Sequence, residues 1–236
     1  MIIWAGTSNK DVGMIIEHYP GVRFPNRSQE VQNVPGRNGD IVLPYGSFQN
    51  YEQSYSAFLD AKNIGGLEQV MPKIADWLLG HDGYQRLEDS YFPDVYRMAF
   101  YSGGTEFLSF FNEYGEGTLT FNCAPEKYFK MGEREIALSK NQVLLNPSSF
   151  AAFPLIYLTG NGSNGTLTFN SSSVTITAVP ANMTIDVKLH KCYNGSTNYN
   201  SKFSGYYENL KLGRETTITW SGGITGVTLI PRWWTI

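Results

Sequence analysis

Two cysteines and three histidines are all that this chain of 236 residues offers a metal ion or a redox couple. Cys123 and Cys192 stand far apart, belong to no CxxC pair, and have only His18, His81 and His190 as possible co-ligands. A structural zinc site needs paired ligands, so none is expected, and the two thiols read as buried small hydrophobes. Charge is scarce too. Only 17% of residues are charged, where about 25% is ordinary. No run of lysine or arginine occurs, which removes the basic footprint of a duplex-binding protein and of a segment drawn to an anionic membrane. Uninterrupted apolar stretches of about 18 residues, the length of a spanning helix, are also missing. Met1-Ile2-Ile3-Trp4-Ala5-Gly6 lacks the basic and long apolar segments of an export signal, so the protein is expected to be made in the cytoplasm and to stay soluble. The Asn-x-Ser/Thr triplets at Asn26, Asn161, Asn164, Asn170, Asn182 and Asn194 are then accidents of an Asn- and Thr-rich sequence.

Catalytic signatures are equally sparse. There is no GxxxxGK[ST] phosphate loop, no GxSxG nucleophile elbow and no HExxH pair. Gly160-Asn161-Gly162-Ser163-Asn164-Gly165 does satisfy GxGxxG, and Asp186 lies about 20 residues further on. That fingerprint works only where a helix starts at the third glycine and points its amides at a pyrophosphate. Here Thr166-Leu167-Thr168-Phe169 continues as a strand pattern, so the glycines are expected to form a hairpin loop and no nucleotide cofactor is implied. A glycosidase needs only two opposed carboxylates, and Glu88-Asp89 and Glu133/Glu135 are the acidic clusters; surface solvation accounts for them. A sugar-binding module would stack on exposed aromatics, with Trp220, Trp233 and Trp234 as candidates, although tryptophan beside a strand end usually packs inward.

What the chain does have is 14% aromatic residues and 24 glycines, a balance that suits short strands joined by tight turns and favours a mainly β class. Its length fits two domains. Composition shifts near Asn146-Pro147-Ser148, which sets the expected domains at 1–146 and 147–236. Up to Ser148 there are 12 basic against 18 acidic residues, and beyond it 6 against 3, so the parts carry -6 and +3.

Val34-Pro35-Gly36-Arg37-Asn38-Gly39-Asp40 is the clearest local signal. Proline fixes one φ and the glycines supply positive-φ positions, so the chain reverses tightly between two extended segments, Gln29 to Val34 and Asp40 to Leu59. Within the second segment Tyr51, Tyr55, Ala57 and Leu59 alternate with polar residues, while Gln53 and Phe58 break the pattern. Tyr51, Tyr55, Phe58 and Leu59 also satisfy helical spacing; the preceding hairpin and the β-favouring tyrosines decide for a strand.

The spacing of Leu67, Val70, Met71, Ile74, Trp77 and Leu78 predicts one helix over 67–79, opened by Gly65-Gly66, tolerating Pro72 in its first turn and ended by Gly80. Strands are also expected at Val12 to Tyr19, Val95 to Tyr101, Thr105 to Phe111 and Thr118 to Cys123, with glycine turns at Gly103-Gly104 and Gly115-Glu116-Gly117 and a stop at Pro125. Beyond Phe153, Val174, Ile176 and Ala178 share one strand face, and Met183, Ile185, Val187 and Leu189 another. Tyr193 to Lys202 reads as a long surface loop, and Gly222-Gly223 as a turn into a final strand, Val227 to Ile230. Gly117-Thr118-Leu119-Thr120-Phe121-Asn122 recurs as Gly165-Thr166-Leu167-Thr168-Phe169-Asn170, two strands entered from glycine turns with Leu and Phe on one face.

Several segments together resemble one family: Val34 to Asp40 with its long following strand, the helix ending Trp77-Leu78-Leu79, Phe121-Asn122-Cys123-Ala124-Pro125-Glu126-Lys127-Tyr128, and the closing Ile230-Pro231-Arg232-Trp233. Pro154-Leu155-Ile156-Tyr157, Ile185-Asp186 and Asn209-Leu210-Lys211-Leu212-Gly213 extend the likeness through the carboxy-terminal part. It is to the distal tail proteins of long, flexible-tailed phages. The resemblance implies a mainly β protein: an amino-terminal β-sandwich-like domain with one helix and a protruding hairpin, and a galectin-like β-sandwich outside it. It further implies a structural role without enzymatic activity, as a homohexameric ring at the virion tail tip, assembled in the host cytoplasm. Expected partners are the tail tube protein, a tail-tip or lysin protein, and receptor-binding or baseplate proteins. DNA would pass through without being specifically bound, which suits an acidic amino-terminal part. No cofactor, metal or membrane contact is implied. The His-Asn-Pro-Arg sugar motif of galectins is missing around His190-Lys191-Cys192-Tyr193-Asn194, so sugar binding is not carried over. The second domain is also too short to hold a long arm for gripping receptor-binding proteins. The long aromatic strand has more edge than one small domain covers, so the expected subunit interface is Arg37, Asn38, Ile41, Leu43, Tyr45, Phe48, Tyr51 and Tyr55.

Overall fold

Alternation of buried and exposed residues with a period of two organises about half of the chain into antiparallel sheet. The computed structural model describes residues 1–62, 65–110 and 112–236, leaving aside the side chains at 109 and 110. The chain divides into two compact units, Met1–Lys127 with Ile236, and Tyr128–Thr235.

The first unit runs β1 (Ile2–Trp4), β2 (Thr7–Ser8), β3 (Met14–Ile16), β4 (Arg27–Gln32), β5 (Ile41–Phe48), β6 (Tyr51–Asp60), α1 (Leu67–Leu79), β7 (Gln85–Asp89), β8 (Val95–Tyr101), β9 (Phe107–Phe110) and β10 (Tyr114–Phe129). Its main sheet has the order β2-β1-β7-β8-β10-β6-β3, with β9 beside β10. β6 and β10 form its longest ladder, from Tyr51↔Cys123 to Asp60↔Tyr114. Along β6 every odd residue from Tyr51 to Leu59 is buried, so the strand reading holds; Gln53 keeps the period by donating to the Gly21 carbonyl at 3.2 Å. Phe58 stacks on Tyr114, at 5.9 Å between ring centres.

The helix has the expected bounds. It buries Leu67, Val70, Ile74, Trp77 and Leu78 in one core with Trp4, Leu59, Leu119 and Phe121, and the Trp77 indole N–H donates to the carbonyls of Trp4 and Thr7. Pro72 is its sixth residue, not a first-turn one. Lacking an N–H, it cannot bond the Glu68 carbonyl in the usual way. β10 also departs from expectation. Gly115-Glu116-Gly117 lies inside the strand, and Pro125 does not stop it. Gly117 is paired with both Ala57 and Phe107, and a side chain there would run into the Phe107 ring. Pro125 falls beyond the last pair with β6, where that ladder needs no donor. Phe111, the expected end of the preceding strand, lies outside the described residues.

The second unit holds β11 (Ile136–Ala137), β12 (Gln142–Leu145), β13 (Leu155–Phe169), β14 (Ser172–Ile176), β15 (Met183–Asp186), β16 (Lys191–Asn194), β17 (Thr197–Asn198), β18 (Phe203–Ser204), β19 (Glu215–Ile230) and β20 (Trp234–Thr235). β13 and β19 pair along their lengths with register shifts around Gly160. Before the shift Leu155 to Leu158 also pair β15, and after it Gly165 to Phe169 pair β14, so two long strands serve both layers of a sandwich. One core unites the halves, with Ile156, Leu158, Ile185 and Leu229 from one and Leu167, Phe169, Val174 and Ile218 from the other.

This corrects three expectations. The GxGxxG segment lies within β13 and not in a hairpin loop, and Gly222-Gly223 lies within β19 and not in a turn. Both sit at the bend, where a β-carbon on Gly165 would stand 2.6 Å from Ile224. Tyr193 to Lys202 begins as the tight β16–β17 hairpin instead of a long loop. Leu189 is exposed because β15 ends at Asp186, whose carboxylate accepts the Leu189 N–H. The repeated hexapeptide lies in β10 and β13, with Leu119 and Phe121 buried in the first core and Leu167 and Phe169 in the second; neither copy is entered from a glycine turn.

The division between units falls at Lys127/Tyr128, earlier than the expected 146/147. Residues 128–146 are polar in composition but pair with the end of the chain: Ile136↔Leu229, Gln142↔Ile218 and the Phe129 N–H on the Trp233 carbonyl. Ile185-Asp186 and Pro231-Arg232-Trp233, distant in sequence, meet through a two-pronged ion pair at 3.0 and 3.1 Å. Asp186 is buried and Arg232 holds a positive φ of 56°. Asp186→Ala is expected to destabilise this unit by about 2–3 kcal/mol, since it removes charged hydrogen bonds and strands the guanidinium; the shift in chemical denaturation midpoint measures it.

Candidate interface on the first unit

β4 and β5 pair with each other and, among the described residues, with no other strand. The connection between them follows from its residues. The Arg37 N–H donates to the Val34 carbonyl at 3.1 Å, and Pro35 with positive-φ Gly36 fills the central positions of a type II turn. Asn33 donates to Asp40 at 3.1 Å and closes the loop. Arg37 and Asn38 stand exposed at the tip.

Among the described residues none covers either face of this ribbon. Register places Val31 opposite Val42 on one face, and Leu43 opposite Glu30 on the other. Leu43 and Tyr45 share that second face with Ile41. Val31, Val42, Leu43 and Tyr45 are 52, 50, 45 and 65% exposed, and the Tyr45 hydroxyl donates to Glu30 at 2.9 Å. Phe48 is half-buried under the Arg27 guanidinium. The base of the ribbon is fixed where the Gln49 N–H meets the Asn26 carbonyl and where Asn50 bonds Tyr84 and Asn122. The segment leading in is anchored by Tyr19 against Tyr91 and Phe92, and by the Lys127 ammonium near Phe24.

Six of the eight expected residues, Arg37, Asn38, Ile41, Leu43, Tyr45 and Phe48, therefore lie on the ribbon. The other two do not. The expected strand from Asp40 to Leu59 breaks at Gln49-Asn50, and Tyr51 and Tyr55 belong to β6 in the core. There they serve a buried ion pair: Arg97 donates to Asp89 at 2.6 Å and to the Tyr51 hydroxyl at 3.0 Å, and the Tyr55 hydroxyl donates to Asp89 at 3.0 Å. Residues missed from sequence are Val42 and its cross-strand partner Val31. The signal for Val42 was the run Ile41-Val42-Leu43-Pro44-Tyr45, apolar on both faces, the pattern of a strand covered on both sides.

The other candidate residues have structural partners. Trp220 and Trp233 are buried in the second core, and the Trp234 indole donates to the Ala151 carbonyl. Asp89, expected on a solvated surface, is instead buried against Arg97, while Glu88 pairs with Arg86, His81 meets Trp4 edge-on, and His190 stacks on Tyr207. Among the described residues no group of three or more His, Cys, Asp and Glu is placed to hold a metal ion, and no helix is long and apolar enough to cross a membrane.

No family model and no curated protein matches the sequence. Solved structures do. A crystal structure of SPP1 Dit, described as a paradigm of the hub adsorption apparatus of phages infecting Gram-positive bacteria, superposes with a TM-score of 0.79 at 12% identity, over 100% of this chain and 98% of that one. The chain has the SPP1 Dit fold. Two structures of the activated phage p2 baseplate, with calcium and with strontium, match at TM-scores of 0.44 and 0.45 and 10 and 11% identity, each over 92% of this chain and 89 and 90% of theirs.

The buried cluster beneath the ribbon makes the first unit sensitive to alkali. Burial pushes Tyr51 up to about 12 from 10.0 and Cys123 up to about 12 from 9.0, and raises Tyr55 as well. Lys127 shifts the other way, lowered first by burial and then by Arg97, and offsets part of the effect. Between the ordinary and raised values the unfolded chain has lost thiol and phenol protons that the folded chain keeps, so stability falls as pH rises from about 9 toward about 12. Denaturation midpoints at pH 8 and pH 10 are expected to differ, less so in Cys123→Ala, and Cys123 is expected to ignore a thiol reagent until the chain unfolds.

Proposed function

We propose that this protein is a structural component of a phage tail, with no catalytic role: six copies form a ring at the tail tip, between the tail tube and the tip, lysin or baseplate proteins. The observation that carries the reading is the likeness to SPP1 Dit over the full length of the chain. A ribbon with two open apolar faces supports self-assembly, since an isolated two-stranded hairpin is at best marginally stable in water. DNA passes through the ring without being specifically bound; the excess of acidic residues in the first part of the chain supports a passage that does not retain a polyanion. The second unit carries the contacts to receptor-binding or other baseplate proteins. A sugar-binding reading finds less support, because Trp220 and Trp233, two of the three rings it would use, are buried, and the third, Trp234, is partly buried with its indole N–H bonded to the Ala151 carbonyl.

Native mass spectrometry of the full chain is expected to show six copies, and removal of Pro35 to Gly39 with the ribbon shortened to a two-residue turn is expected to leave folded monomers by circular dichroism. A wild-type chain that stays monomeric at high concentration would sink the ring.

A further inference from the structure

Besides the ribbon, the first unit has a second apolar surface that none of the described residues covers. An open groove of about 580 Å³ lies beside α1, lined by Leu67, Met71, Pro72, Ala75 and Phe107 together with the polar Glu68 and Asn112. The helix extends it with Leu79, 63% exposed, so Pro72, Ala75 and Leu79 form an outward stripe at steps of three and four residues. The buried stripe of α1 already faces its own sheet, so this is a second apolar face on one short helix.

We propose that the groove beside α1 in one copy receives the β4–β5 ribbon of the next copy. The inference rests on the ring reading above and names the surface that reading leaves open. Three observations carry it. Dimensions agree: β5 has 8 residues and α1 has 13, about 26 Å of strand against about 20 Å of helix. Charges agree: Arg37 at the tip, and Glu68 and Asp76 along the helix, have no ion-pair partner among the described residues. Symmetry agrees: a ribbon meeting its own counterpart would close at two copies, whereas a ribbon meeting a different patch passes the contact on from subunit to subunit, the kind of contact a ring of more than two copies requires. The face with Leu43 and Tyr45 enters the groove, and Arg37 reaches the helix carboxylates.

The test uses Leu43→Cys, Ala75→Cys and the double variant in the full chain, with a short bismaleimide as bridge. Leu43 is 45% exposed and Ala75 is exposed, so neither change disturbs a core, and native Cys123 and Cys192 are buried. Mixing the two single variants is expected to join unlike chains, and the double variant to give covalent multimers up to the ring. Bridging of Leu43→Cys to itself would overturn the proposal in favour of ribbon meeting ribbon. Bridging within one chain of the double variant would overturn it in favour of a ribbon folded onto its own groove. As a second measurement, Ala75→Arg is expected to weaken assembly at least tenfold in native mass spectrometry, while Lys73→Glu leaves it intact. Six copies that persist in Ala75→Arg without any unlike-chain bridge would remove the groove and spare the ring; a monomeric wild type would remove both.

Discussion

Asp89 is the group on which the first unit converges. Its two carboxylate oxygens take the Arg97 guanidinium, the Tyr55 hydroxyl and the N–H groups of Tyr91 and Phe92. One buried charge thereby ties β7 to β8, to β6 and to the turn between them. Removing one partner would leave the other ionised in the dry interior, the costly half of any buried pair. The same cluster sets the footing of the ribbon, because Tyr51, which accepts from Arg97, is the first residue after the Gln49-Asn50 break.

From that footing outward, the character of the chain changes within a few residues. β6 hides one face in the core, whereas β5, directly before it, hides neither. An alternating strand is complete on its own sheet. A strand apolar on both sides is complete only when something lies above and below it, and the same holds for the outward stripe of α1. The unit therefore folds around its own core and keeps two further apolar surfaces that its fold does not consume.

Legibility in the sequence followed the range of the forces involved. α1 could be placed to the residue because its three- and four-step apolar spacing and flanking glycines are local. The turn at Pro35-Gly36 was legible for the same reason, since both residues restrict φ by themselves. Strand lengths were not legible. Glycine and proline normally punctuate, yet Gly117, Pro125, Gly160 and Gly222 lie inside long strands, where they admit a neighbour's ring, a missing donor or a bend. Tyr51 and Tyr55 were grouped with the ribbon because nothing local distinguishes a tyrosine facing a core from one facing a partner. The division at Lys127/Tyr128 was hidden likewise: Ile136 and Leu144 find their sheet only when β19 arrives, from 93 and 72 residues away.

The bend in β13 and β19 has a mechanical meaning. In a sandwich whose layers are built from separate strands, one sheet can peel from the other and leave it standing. Here both layers share two backbones, so freeing one means pulling the same two strands out of the other, and the core on both sides opens with them. Opening either layer of the second unit therefore exposes the core it shares with the other.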